Sequence, residues 1–105
     1  MNERTYQRKL IPRIEELLPG CVIMKNDPTQ IQGIPDLLIL FEDKWAMLEV
    51  KVDSEPDFEP NQLYYIEKLG TMSYVTFINP DNEEEVLDAL QSAFGLTRKT
   101  RISKS

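Results

Sequence analysis

The chain has 105 residues, 41% hydrophobic and 29% charged, with a net charge of −6, one cysteine and no histidine. That length fits one domain with a modest core, and the acidic balance argues against a surface coated in positive potential for nucleic acid. Without histidine there is no His general base, no His-containing triad and no His-ligated zinc, and a lone Cys21 excludes an internal disulfide and any multi-cysteine metal site.

Tyr6, Leu10, Ile14, Leu17 and Leu18 recur at helical spacing and predict a helix over Glu3 to Leu18. Pro12 falls inside it and is expected to kink or split it, and Pro19-Gly20 ends it. Cys21 to Lys25 is a short candidate strand, followed by a loop from Asn26 to Pro35. Leu37 to Phe41 is apolar at every position, the pattern of a central strand covered on both faces. Glu42-Asp43-Lys44 supplies a turn, and Trp45 to Val52 is the next strand.

An acidic loop, Asp53 to Pro60, leads into a helix over Asn61 to Leu69 stopped by Gly70. Tyr74 to Ile78 is β-branched and aromatic, a further strand. Asn79-Pro80-Asp81-Asn82 then caps a last helix, Glu83 to Phe94, whose acids gather at its N-terminal end as the helix dipole favours. The order α-β-β-β-α-β-α predicts an α/β fold, a mixed sheet flanked by helices on both faces. Residues 1–96 form the domain and residues 97–105 a polar, basic tail. No apolar run approaches the roughly 18 residues of a membrane span, and Met1-Asn2-Glu3-Arg4 has no apolar core of a signal peptide. A reducing, cytoplasmic setting is the expectation.

Most acids fall in loops or on helix surfaces, where solvated charge is the ordinary use. Asp36, Glu49 and Lys51 instead fall at or within apolar strands, where an ionised group is costly unless paired or bound to metal. Glu49 and Lys51 project from one face of their strand, roughly 7 Å apart, with the Val50 carbonyl between them. Whether Asp36 joins them depends on the hairpin. A two-residue turn at Glu42-Asp43 or Asp43-Lys44 places Asp36 opposite Glu49 or Lys51; a three-residue loop turns it away unless a bulge corrects the register.

Two carboxylates, a backbone carbonyl and waters make an oxygen-only shell suited to Mg²⁺ or Mn²⁺. A cation there would polarise a phosphodiester and help deprotonate a water, while Lys51 would orient that water or neutralise charge developing on phosphorus. The competing structural use is a Glu49–Lys51 ion pair with Asp36 as a loop cap.

Gly33-Ile34-Pro35-Asp36, then Glu49-Val50-Lys51, then Gln62 on the following helix, resembles the VRR-NUC (virus-type replication-repair nuclease) family of the PD-(D/E)xK nuclease superfamily. The resemblance runs from about Tyr6 to Ile78 and implies a restriction-endonuclease-like core and a metal-dependent nuclease. It implies Asp36, Glu49 and the Val50 carbonyl as metal ligands, Lys51 as catalytic, and Gln62 beside the active site. Independently, Gln62 heads the apolar stripe Tyr65, Ile66 and Leu69, so a polar group begins a buried face.

Family members commonly carry a first-helix glutamate, and aligning Tyr6 to Leu10 with that stretch puts Gln7 at the position. An amide supplies no charge, which leaves one ion, with any second bound more weakly. Glu3, one turn earlier, is the carboxylate that could partly substitute in an outer shell.

Basic residues cluster in the tail (Arg98, Lys99, Arg101, Lys104) and on the first helix (Arg4, Arg8, Lys9, Arg13), candidates for phosphate contacts. The resemblance implies a Holliday-junction-resolvase-like enzyme of DNA replication, repair or recombination, of the kind phages carry, in which case the host cytoplasm is its compartment. A two-fold homodimer would present two sites to the two strands a junction resolvase cuts, with Phe58, Tyr64, Tyr65 or Phe94 available to an interface. The alternatives are a flap- or end-directed nuclease, a nickase, a catalytically silent nuclease-fold module that binds DNA or a partner, and an acidic interaction protein.

Overall fold

A computed structural model describes residues 1–96; the tail, with Arg98, Lys99, Arg101 and Lys104, lies outside the described residues. Helix α1 (Glu3–Leu17) begins where the Asn2 side chain accepts the Thr5 N–H at 2.8 Å, satisfying one of the donors a helix start leaves free. Tyr6, Leu10 and Ile14, spaced four apart, are its buried face. Pro12 does not split the helix. It lies on the exposed side, as does Arg8, so the carbonyl left without a donor faces water.

Strands β1 (Val22–Lys25), β2 (Leu37–Phe41), β3 (Lys44–Val50) and β4 (Tyr74–Ile78) form one sheet in that order, with β1-β2-β3 antiparallel and β3-β4 parallel. Helix α2 (Pro60–Gly70) is the crossover between β3 and β4, and α3 (Glu83–Ala93) follows β4. Strand β3 stops at Val50 rather than Val52, although the Lys51 N–H still donates to the Ile78 carbonyl at 2.9 Å.

The two sheet faces differ sharply. Leu37, Ile39, Phe41, Ala46, Leu48 and Val50 all point into one buried core with Tyr6, Leu10 and Ile14 of α1 and Val86, Leu87 and Leu90 of α3. Phe94 belongs to this core, stacked on Phe41 at 5.7 Å between ring centroids, and so is not interface surface. A second tie joins the two helices: the Tyr6 hydroxyl donates to Glu83 Oε1 at 2.7 Å, and Arg13 pairs with Glu83 and Glu84. Burial first, then the Glu83 contact, raises the Tyr6 phenol above its ordinary value.

Helix α2 packs on the other face against β4, which leaves the outer face of β1 and β2 open. Leu40 is 38% exposed, Val22 55% and Met24 51%. Strand β2 is therefore central in the sheet but covered on one face only, contrary to its all-apolar sequence.

Candidate active site

The hairpin settles where Asp36 goes. Phe41 pairs with Lys44 and Leu37 with Leu48, so the turn is the two residues Glu42-Asp43, with Glu42 in the left-handed region at φ 56°. Extending that register by one residue sets Asp36 opposite Glu49, on the face away from the α1–α3 core. The loop before β2 secures the Pro35-Asp36 corner: Asn26 donates from its side chain to the Pro35 carbonyl and from its backbone to the Asp36 carbonyl, both at 2.8 Å. Sequence reading missed Asn26, which looked like any polar loop residue.

Asp36 Oδ2 accepts the Val50 N–H at 2.8 Å. That bond holds the carboxylate against the strand carrying Glu49, while the Val50 side chain is buried in the core. Glu49 is only 3% exposed. Its Oε2 accepts from Gln62 Nε2 at 2.9 Å and lies 3.8 Å from Lys51 Nζ. Gln62 Oε1 in turn accepts from Lys51 Nζ at 3.1 Å and from the Glu59 N–H at 2.9 Å. One amide thus joins the carboxylate, the ammonium and the start of α2. Gln62, Tyr65, Ile66 and Leu69 are the half-buried residues of that helix, as the stripe predicted. Phe58, which packs edge-on against Phe77, lies under the ammonium, its centroid 4.9 Å from Lys51 Nζ. Only its aromatic character beside the acidic loop hinted at this role.

The electrostatics follow from burying two carboxylates side by side. Burial lifts the Asp36 carboxyl above its ordinary value, against the Val50 N–H, Glu49 and Lys51, which pull it down. The Glu49 carboxyl is pushed up to about 8, first by burial, then by repulsion from Asp36, with Lys51 opposing and Glu3 adding a smaller repulsion. Glu3, at the first turn of α1, is thus near enough for its charge to be felt. Gln7, one turn later, is half-buried and makes no hydrogen bond to the carboxylates. No third carboxylate or cysteine completes a three-ligand metal cluster among the described residues. Arg4 and Arg8 are exposed and make no ion pair among the described residues, whereas Arg13 is committed to α3.

The donor set fits a hard divalent cation. It consists of oxygen ligands only, and the two carboxyls cannot both ionise cheaply without a compensating positive charge. Asp36, Glu49, Lys51 and Gln62 are brought together; Gln7 is not hydrogen-bonded to them; the tail cations lie outside the described residues.

No protein-family model and no curated protein sequence matches the chain. Two solved structures are similar. One, described as a "VRR_NUC domain", superposes with a TM-score of 0.65 at 26% identity over 88% of this chain and 96% of its own. A second, a "VRR_NUC domain protein", gives a TM-score of 0.67 at 19% identity over 91% and 90%. With near-complete coverage in both directions, and with Asp36, Glu49, Lys51 and Gln62 gathered at one place on the restriction-endonuclease-like core, the chain has the fold of VRR_NUC domains, which supports its assignment to the VRR-NUC nuclease family.

Proposed function

We propose that the protein is a Mg²⁺- or Mn²⁺-dependent endonuclease that hydrolyses phosphodiester bonds in branched DNA, with Holliday junctions the preferred substrate. The observation that carries this reading is the alignment of Asp36 with Glu49 across the hairpin, with Lys51 joined to Glu49 through Gln62. A divalent cation held by Asp36, Glu49 and the Val50 carbonyl would draw charge from the phosphodiester and favour loss of a proton from the attacking water.

The protein's own groups do the rest. Lys51, held between Glu49, Gln62 Oε1 and the Phe58 ring, faces the charge that grows on the phosphate oxygens. Gln62 fixes the orientation of both Glu49 and Lys51, a positioning role. Glu3 supplies the α1 carboxylate in place of one at Gln7, acting on the site from the outer shell. Arg4 and Arg8, exposed on the helix that carries Glu3, contact DNA phosphates together with the tail.

The active unit is a homodimer. Its support is the open outer face of β1 and β2, where Val22, Met24 and Leu40 offer the apolar area a second copy would cover.

The deciding experiment incubates labelled four-way junction, flap and linear duplex with wild type, Asp36→Asn and Lys51→Ala, with Mn²⁺ and with EDTA. Cutting by wild type in Mn²⁺ alone, lost in both variants, is the expected result. Equal behaviour of all three proteins overturns the assignment. Binding to a junction without cutting by any of them supports the silent module, which the two-carboxylate cluster favours.

A further inference from the structure

Beside the carboxylates, the loop before β2 and helix α2 enclose two recesses that share Gln32 and Asn61. The larger, about 520 Å³, lies within the roughly 300–1,000 Å³ of small-molecule sites and is walled by Ile31, Tyr64 and Tyr65. The smaller, about 260 Å³, ends at Gln62, the residue that holds Glu49. Together they form one groove leading to the site.

Its chemistry is unlike that of a phosphate channel. No lysine or arginine lines either recess, and Glu59 lies in the smaller one. The groove offers instead the amides of Gln30, Gln32 and Asn61, whose side chains make no hydrogen bond among the described residues. An amide carries donor and acceptor together, the match for a base edge. Tyr64 is 55% exposed and packs in a T-shape with Tyr65 at 5.0 Å between ring centroids, and Ile31 is 45% exposed beside it. The loop seats closely on α2. A Cβ on Gly33 would come within 2.5 Å of the Asn61 Cβ, so only glycine allows the loop to seat against α2 here.

We propose that this groove binds an unpaired nucleobase next to the scissile phosphate, stacked on Tyr64 and hydrogen-bonded by Gln32 and Asn61. A paired base has neither π-face nor Watson–Crick edge free, so the groove selects DNA whose nucleotide beside the cut is unpaired or opens at a branch point, as at the centre of a four-way junction. From Gln62 to Tyr65 is about 4.5 Å of helix rise, which sets groove and carboxylates on neighbouring parts of one strand. The strand path rests on the nuclease reading above; the base contact does not.

The test is binding in EDTA, where no strand is cut. The ligands are a fully paired duplex and the same duplex carrying a short unpaired branch with 2-aminopurine beside the junction. Wild type binds the branched ligand more tightly and quenches the 2-aminopurine. Tyr64→Ala reduces the branched-to-paired affinity ratio about tenfold, a typical loss for one stacked base, and abolishes the quench. Tyr64→Phe retains both, and Met72→Ala, exposed beyond the far end of α2, serves as the surface control. An unchanged ratio in Tyr64→Ala, or equal loss in Tyr64→Phe, overturns the proposal. Cleavage of a labelled four-way junction by wild type in Mn²⁺ is scored separately. If it is present while the Tyr64 ratio is unchanged, only the groove fails. If cleavage is absent while the Tyr64 effect is present, only the nuclease reading fails.

Discussion

Gln62 and Glu49 meet at 2.9 Å, amide nitrogen to carboxylate oxygen, although they come from different layers of the fold, one from helix α2 and the other from strand β3. The other end of the same amide holds Lys51 at 3.1 Å and caps the Glu59 N–H at 2.9 Å. Removing it leaves a buried carboxylate and an ammonium without their shared anchor. Gln62→Ala is expected to lower cleavage about 10- to 100-fold, the usual effect of losing an outer-shell partner. It also costs about 1 kcal/mol of stability through the lost cap. Single-turnover kinetics beside urea melts separate the two effects; full activity at normal stability would show that Gln62 positions nothing.

The raised Glu49 carboxyl makes a signed prediction about pH. A carboxyl whose pKa is higher folded than unfolded binds its proton more tightly in the native state. Its contribution to stability is present below the ordinary 4.5 and is lost as pH climbs toward about 8. Metal-free protein should therefore become less stable across that window, and Glu49→Gln should flatten the slope. At pH 8 the variant should melt at least about 4 °C above wild type, the shift expected from roughly 1 kcal/mol in a domain of this size. Mn²⁺ should raise the melting temperature of wild type and not of the variant. Parallel pH profiles for the two proteins would contradict this account.

Gly33 and Gly20 both have positive φ, at 92° and 91°, but differ in surroundings. A Cβ at Gly20 meets nothing within 4 Å, while at Gly33 it meets the Asn61 backbone carbon at 2.7 Å. Gly20→Ala should cost only the backbone conformation, roughly 1–2 kcal/mol. Gly33→Ala should cost more, adding overpacking of about 1–3 kcal/mol, and should reduce cleavage by moving the loop that leads into Asp36. Urea denaturation of both variants checks the ranking.

The open face of β1 and β2 predicts the oligomeric state. Wild type should elute with the mass of a dimer in light-scattering chromatography at micromolar concentration. Leu40→Asp, at a position already 38% exposed, should give a monomer with an unchanged circular dichroism spectrum. A fully active monomeric wild type would sink the dimer.

Much of this was legible in the chain itself. Asp36, Glu49 and Lys51 were conspicuous because charge at apolar strand positions is expensive, and the period of two put Glu49 and Lys51 on one face. The Gln62 stripe was equally readable, because helical spacing is a local property of the backbone. The hairpin sequence is compatible with two registers, since Glu42-Asp43 and Asp43-Lys44 are both acceptable turn pairs. Only the pairing of Phe41 with Lys44 decided it.

Local periodicity is dictated by backbone geometry, so element order, the carboxylate–lysine spacing and the amide at the head of α2 follow from sequence alone. What covers a sheet face is not local. Leu37 to Phe41 reads as buried on both faces, yet the crossover lays α2 over β4 and leaves Leu40 in the open, because a strand's composition carries no record of where a distant helix comes to rest. The same holds for the contacts that complete the site. Asn26 behind Pro35, Phe58 beneath Lys51, and the charge of Glu3 felt at Glu49 exist only once chain closure brings separate segments together. The chemistry divides in the same way: the absence of histidine and the single cysteine confine it to carboxylates and lysine, and the tertiary structure brings two carboxylates and one lysine together.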